Sequence, residues 1–326
     1  MDVIFAKPNG EEVGFLTDFD LDLEVGGSND FEVGTTADEK IMDFRWKIYV
    51  NDTEYGGIIS DIDVDTASNR IAYSGQTWRG LLDNYIITPG ITIPNKDTQN
   101  VDYLTVSDNV STIISGLISH FGIDSLYTVV ASTATVTNYQ FDRYCTLLTG
   151  IDKMLKSVGY RLNVKCTNGT VELKPVQIHD YSDELEYSQD ADINFRIREN
   201  RNGVNHLICL GKGELHERTV INLYLRQDGT IGTTGKYYTG ISERAAVYDY
   251  SSVESAAELE KSGRERFEEL LNSQKLEMTI DDISVELGDI VGGRERITGI
   301  YMKKPITLKI IKATDKSSKI SYKVGD

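Results

Sequence analysis

The carboxylates come closest to a chemical pattern in this chain. Asp18, Asp20 and Asp22 alternate along one stretch, and Asp61, Asp63 and Asp65 along another. In an extended backbone alternate side chains share a face about 6–7 Å apart, so each ladder offers hard oxygen ligands of the kind Ca2+ takes. Neither ladder has the central glycine and distal glutamate of a calcium-binding loop, and a solvated strand face is the favoured reading. Glycoside hydrolysis needs two carboxyls set apart from the rest, and among 51 acidic residues the sequence singles out no such pair.

Other reactive side chains are sparse. The four histidines, His120, His179, His206 and His216, are scattered, and His216-Glu217 is followed by Arg218-Thr219-Val220 rather than by a second zinc-binding histidine. There is no CxxC pair and no GxSxG elbow. Residues 229–236 come near a phosphate loop, but their glycines stand one residue too far apart, and Tyr237 occupies the place of the magnesium-binding hydroxyl. Trp78 and Arg79 are types that dominate binding hot spots. They could stack on a sugar or hold a partner, but the favoured reading makes Trp78 a core anchor and Arg79 the local partner of a carboxylate. No catalytic residue, cofactor site or metal site is assigned, and the expectation is a protein that is not an enzyme.

The elements that would position these residues are mostly strands. From residue 18 onward Phe19, Leu21, Leu23 and Val25 alternate with acids, the period of a strand with one wet face. Further β signals follow at 44–50, 55–59, 61–65 and 69–75, a spacing that suits a small barrel or sandwich. Residues 89–102, with Pro89, Gly90 and Pro94, read as a linker. Val110, Ile113, Ile114, Leu117, Ile118 and Phe121 then form one helical stripe, which Thr105 or Ser107 can cap and Gly122 can end. A second helix is expected from about 141 to 158, stopped by Gly159. Asn168-Gly169 between two alternating runs predicts a hairpin. Residues 179–198 form an acidic bridge. The segment 199–229 holds two apolar runs, 204–210 and 220–225, around a polar glycine-bearing turn, and predicts a strand–loop–strand. Residues 230–250 read as loop. Ser251 and Glu254 make a capping-box pattern that opens a charged helix at 251–271, and strands are expected near 276–280, 289–291, 297–302, 306–312 and 319–323.

The 326 residues are 40% hydrophobic and 26% charged, ordinary for a soluble globular chain of two or three domains. No apolar run approaches the ~18–20 residues of a membrane span, and the N-terminus lacks the pattern of a secretory signal. Cys145, Cys166 and Cys209 sit in apolar contexts and read as space-fillers in a reducing cytoplasm. The formal charge is −17, unevenly spread. Residues 1–100 hold 19 acidic and 7 basic residues, whereas 201–326 hold 19 of each. An acidic body argues against sequence-independent nucleic-acid binding, which needs cations on phosphates. The far C-terminus is locally basic, with Lys303, Lys304, Lys309, Lys312, Lys316, Lys319 and Lys323.

Several segments carry a resemblance to a known group. The run from Asn205 through Gly211-Lys212-Gly213 to Arg218-Thr219-Val220 resembles a segment of phage and prophage baseplate hub proteins, the late-control-D-like and defective-prophage hub family. Thr77-Trp78-Arg79-Gly80 resembles a turn at the end of that group's first β domain. The residues 251–271, and then Val285-Glu286-Leu287-Gly288-Asp289-Ile290-Val291, resemble its last helix and a barrel strand entered through a Gly-Asp turn. The first 70 residues match in pattern only.

The resemblance implies a mainly β fold with an α/β insert: two small tube-like β-barrel domains, an α/β domain and a long helix in the C-terminal half. The expected segments are 1–88 (first barrel), 89–185 (the insert, with two helices and a hairpin) and 186–326 (second barrel, including helix 251–271). It implies a structural hub, a homotrimeric ring that joins a hexameric tail tube to a trimeric spike or fibre and lets DNA or cargo pass. The implied partners are other copies of itself, a tail tube or distal tail protein, a spike or fibre protein and a tape-measure protein. Neither specific nucleic-acid binding nor membrane insertion is expected. The implied location is the virion tail, assembled in the bacterial cytoplasm. Trp78, Arg79, Asn205, Gly211, Gly213, Arg218, Gly288, Asp289, Lys309 and Lys312 are the candidate structural or interaction residues, with the lysine-rich end facing an acidic neighbouring subunit. The alternatives are a tail-associated cell-wall hydrolase and a carbohydrate-binding adhesin.

Overall fold

Alternation decides the first half of the chain. In the strand Phe19–Val25 the residues Phe19, Leu21, Leu23 and Val25 are buried and Asp20 and Asp22 are exposed. The strand pairs antiparallel with Asp30–Thr36, which pairs with Arg70–Thr77, and that strand pairs with Gly56–Asp65. Beyond it come Lys47–Tyr49, Ile4–Ala6 and Glu12–Phe15, again antiparallel. On its other side Phe19–Val25 pairs with Tyr301–Thr314, followed by Ser318–Val324 and Ser273–Asp281. The first 77 residues and the last strands of the chain therefore share one sheet. The computed structural model describes all residues except 38–40, 95, 98–101, 183–185, 188–193, 201–202, 272, 282–284, 295–300 and 326. Among the described residues this sheet does not close on itself, and the class is mainly β. Most of the strand expected at 297–302 lies outside the described residues.

The chain divides into two compact units, Met1–Phe195 with Glu277–Asp326, and Arg196–Leu276. In the first, helix α1 (Val110–His120) buries Val110, Ile113, Ile114, Leu117 and Ile118, the stripe expected from spacing. Its cap is Asn109, whose side chain accepts from the Ser111 N–H; Thr105 and Ser107, expected to cap, lie in the strand Thr105–Asn109. Helix α2 is shorter than expected, Leu147–Lys156, because Cys145–Thr146 pairs with Ile86–Ile87 and Thr146 then caps the helix. Asn168 and Gly169 both have positive φ, +50° and +74°, and join Tyr160–Thr167 to Thr170–Gln177, the two-residue hairpin the sequence predicted. Apolar residues of the α/β segment and of the early strands, Ile4, Tyr49 and Trp78 among them, form one continuous core.

The second unit is a four-stranded sheet with helix α3 (Ala256–Leu270) on one face. His206–Leu210 pairs antiparallel with Val220–Leu225. The loop expected at 230–250 is corrected: Ile231–Gly232 extends the sheet on one side, and Ala245–Asp249 runs parallel to His206–Leu210 on the other. Leu207, Cys209, Leu223, Leu225, Val253, Leu259 and Phe267 make its core. The capping box expected at Ser251 is also corrected, since Ser255 accepts from the Glu258 N–H one turn later.

Candidate functional site

The wet face of the large sheet gathers carboxylates. Register places Asp22 opposite Glu32 and Glu32 opposite Ser74, with Asp20 opposite Gly34 and Asp30 opposite Gln76. A shallow groove of ≈ 610 Å3 runs over Asp22, Glu24, Asp30, Glu32, Ser74 and Gln76. Its bases are few: Lys312 Nζ lies 2.6 Å from Asp22, and Arg70 lies 3.8 Å from Asp20. The Lys312–Asp22 pair is more than half exposed on both sides, so it contributes little to stability.

Beneath the sheet lies a charge cluster that no local pattern announced. Glu54 is buried, 5% exposed at its side chain, between Arg79 Nε at 3.1 Å and Lys309 Nζ at 3.1 Å. Arg79 also donates from Nη2 to the Leu162 carbonyl at 2.6 Å. Lys309 makes a second ion pair with Glu286 at 2.7 Å and sits over the Tyr55 and Tyr322 rings. Burial is the largest single influence on Glu54 and pushes it up, but Arg79 and Lys309 together outweigh it and hold the carboxyl below its ordinary range. Burial likewise presses Lys309 down, and Glu54 and Glu286 carry it above its ordinary value. Both groups are therefore charged across neutral pH.

A second buried pair stands close by. Arg161 Nε and Nη2 donate to the two oxygens of Asp289 at 2.7 and 3.1 Å. Asp289 also accepts the backbone N–H of His179 and of Glu286, each at 3.1 Å. Gly288, at φ +89°, makes the turn that delivers Asp289 to this position.

These contacts redefine the candidate residues of the first unit. Trp78 is fully buried and its carbonyl accepts the Tyr127 hydroxyl at 2.7 Å, so a sugar- or partner-stacking role is closed to it, and Arg79 is the partner of Glu54. The expectation that Lys309 faces a neighbouring subunit is corrected: it is 3% exposed and satisfied within its own chain. Lys312 stays at the surface, engaged with Asp22.

In the second unit the candidates shape backbone. Asn205 is buried, accepts the Arg244 N–H at 2.8 Å and donates to the Ser242 carbonyl at 2.8 Å. Gly211 sits where an added Cβ would meet Leu259 of α3 at 3.0 Å. Gly213 has φ +112°, and a Cβ there would lie 2.6 Å from the Glu217 carbonyl. Arg218 closes the loop from Nε to the Gly211 carbonyl at 3.0 Å and from Nη2 to Asp249 at 2.5 Å. Asn205→Ala is expected to cost ~1–3 kcal/mol, since it removes both hydrogen bonds of a buried side chain. The readout is hydrogen exchange at the Arg244 amide, which should lose protection while α1 and α2 keep theirs.

Among the described residues no group of three or more His, Cys, Asp or Glu side chains comes together as a metal site. No helix among them is long and apolar enough to cross a membrane. No family model and no curated protein matches the sequence. Solved structures do match, along nearly the whole chain. The 43 kDa tail protein of prophage MuSo2 from Shewanella oneidensis is similar at TM-score 0.57 and 13% identity, over 99% of this chain and 98% of that one. The tail protein from Neisseria meningitidis MC58 is similar at TM-score 0.52 and 13% identity, over 100% and 96%. Prophage tail protein gp18 from Listeria monocytogenes EGD-e is similar at TM-score 0.50 and 14% identity, over 99% and 94%. The chain thus has the fold found in prophage tail proteins.

Proposed function

We propose that this chain is a structural, non-enzymatic component of a phage-type tail, the hub of a baseplate or tail tip. One observation carries the reading: the fold likeness to three tail proteins runs end to end, covering at least 99% of this chain and 94% of each of theirs. A shared fold does not fix a function, but the sequence resemblance of 205–218 and 285–291 to hub proteins points the same way. In this reading the segments 1–88 and 186–326 supply the barrel-like strands, joined through the sheet that both ends of the chain share, and 89–185 is the insert. Three copies close into a ring, the symmetric form an adaptor between a sixfold tube and a trimeric spike requires. Its partners are the tube or distal tail protein, the spike or fibre, and the tape-measure protein, all within a virion tail assembled in the cytoplasm of the host bacterium.

The acidic groove gives the reading a mechanism. A surface carrying Asp22, Glu24, Asp30 and Glu32 repels phosphates weakly and lets DNA pass without holding it. Light scattering over a concentration series tests the ring: three chains of 36.5 kDa give about 110 kDa, and negative-stain images should show a central hole. A monomer at every concentration, both alone and on purified tail tubes, sinks the ring. Replacing Asp22, Glu24, Asp30 and Glu32 by Lys is expected to create salt-sensitive retention of duplex DNA, strong at about 50 mM salt and largely gone at about 200 mM, which the native chain lacks. A gel-shift comparison reads it, and equal DNA retention by both proteins contradicts the lumen role.

A further inference from the structure

The loop that joins His206–Leu210 to Val220–Leu225 presents an apolar side chain to solvent in a costly conformation. Leu215 is 91% exposed and has φ +52°, a left-handed backbone that a bulky residue rarely adopts. The loop around it is tied down. The Lys212 N–H donates to the Val253 carbonyl at 2.9 Å, the Thr219 N–H to the Lys212 carbonyl at 3.0 Å and the Glu217 N–H to the Glu214 carbonyl at 3.0 Å. The loop's lysine and arginine are engaged at home, Lys212 with Glu254 and Arg218 with Asp249. Glu214 and Glu217 are exposed and make no ion pair among the described residues. The loop therefore holds out a fixed leucine between two uncompensated acids. Backbone strain and full exposure at one apolar residue point to a contact outside the chain.

The complementary arrangement lies on the outer face of the C-terminal hairpin, Tyr301–Thr314 with Ser318–Val324. Lys309, Ile311 and Ala313 are buried, so alternation turns Leu308, Ile310 and Lys312 to the other face. Register sets Leu308 opposite Lys323, Ile310 opposite Ser321 and Lys312 opposite Lys319. Leu308 and Ile310 are half-buried, and Lys319 and Lys323 are exposed. Two apolar side chains thus stand between lysines on one face. On the neighbouring strand Asp22 and Glu24 lie opposite Lys312 and Ile310, so an acidic visitor is steered toward Ser318–Val324 and away from them. We propose that Leu215 of one copy docks on this hairpin face of a second copy, against Leu308 and Ile310, with Glu214 and Glu217 paired to Lys319 and Lys323. An apolar centre inside a charged rim is the anatomy of a specific interface. The two surfaces are unlike each other and belong to different compact units, so the contact is head-to-tail, the type that closes into a ring. The inference rests on the ring reading above and names the contact that holds the ring together.

Light scattering on full-length variants tests it, because every position to be changed is exposed and none belongs to a core. Leu215→Ser is expected to raise the concentration of half-assembly by about tenfold or more. Glu214→Lys with Glu217→Lys, and separately Lys319→Glu with Lys323→Glu, should each dissociate the ring at about 150 mM salt. All four changes in one chain should restore it, since the pairs are remade with the charges exchanged. A trimer indifferent to either swap, or two swaps that each dissociate it and do not rescue each other, overturns this contact while the ring stands. A native chain that is monomeric at every concentration, alone and on purified tail tubes, overturns both.

Discussion

Glu54→Gln is expected to cost ~3–5 kcal/mol of stability, the range for removing one partner of a buried ion cluster. The reason lies in what stays behind. Lys309 keeps Glu286 as a partner at 2.7 Å, but Arg79 keeps only the Leu162 carbonyl and is left as a buried guanidinium without its counter-ion. An uncompensated interior charge costs more than the lost attraction alone. A drop in melting temperature of about 10 °C is the expected readout for a domain of this size. The double replacement Glu54→Gln with Arg79→Met removes both charges and should recover part of the loss, because burying neither charge avoids the desolvation of both. If the single change shifts the melting temperature no more than a surface substitution does, the cluster is not a support of the fold.

The same cluster sets a pH window. Glu54 has a folded pKa below its ordinary 4.5, so its contribution is complete above pH 4.5 and is lost as pH falls through the folded value. Lys309 has a folded pKa above its ordinary 10.5, so its contribution is complete below pH 10.5 and is lost as pH rises through the folded value. The stability gap between native protein and Glu54→Gln should be level across neutral pH and should narrow on acidification below about pH 4.5. Urea titrations at about pH 7 and about pH 3.5 measure it, and a gap that widens in acid contradicts the assignment.

The legible parts of the chain were those whose signal is local. Alternation at 18–25, the apolar stripe of α1 and the Asn168-Gly169 turn each report their own backbone, and each appears where the sequence put it. Lys309 was misread for a physical reason. It sits among lysines, and Ile306, Ile310 and Ile311 around it fit no single alternation. A register shift between Ile306 and Leu308 turns the strand, so that Lys309, Ile311 and Ala313 point inward after Ile306 has done the same. Its partner Glu54 lies 255 positions away, beyond any pattern in one sequence. The edge strand Ala245–Asp249 was lost in a Gly- and Tyr-rich context because it pairs on one side only, over five residues. The helix start was misplaced because Ser251 with Glu254 fits the same cap pattern as Ser255 with Glu258. The chain uses the second, after Val253 is anchored in the core.

Asp289→Asn is the other large expectation, and its effect is conformational as well as energetic. Asp289 ties three separated backbones together: it takes two bonds from Arg161 on the strand Tyr160–Thr167, one from the N–H of His179 and one from the N–H of Glu286. All four donors point at the carboxylate, so an amide must present an N–H to at least one of them. Asparagine therefore loses the charge facing Arg161 and adds a donor-to-donor clash at a side chain that is 1% exposed. The expected cost is ~3–5 kcal/mol. Because Glu286 is held by Asp289 and in turn holds Lys309, the loss should propagate: the Glu286 N–H and the strand Ile290–Arg294 should exchange faster, and a Glu54→Gln, Asp289→Asn double variant should lose less than the two single losses together. Strict additivity in denaturant titrations would mean that the Glu54 and Asp289 clusters are independent, and that the link through Glu286 carries no energy.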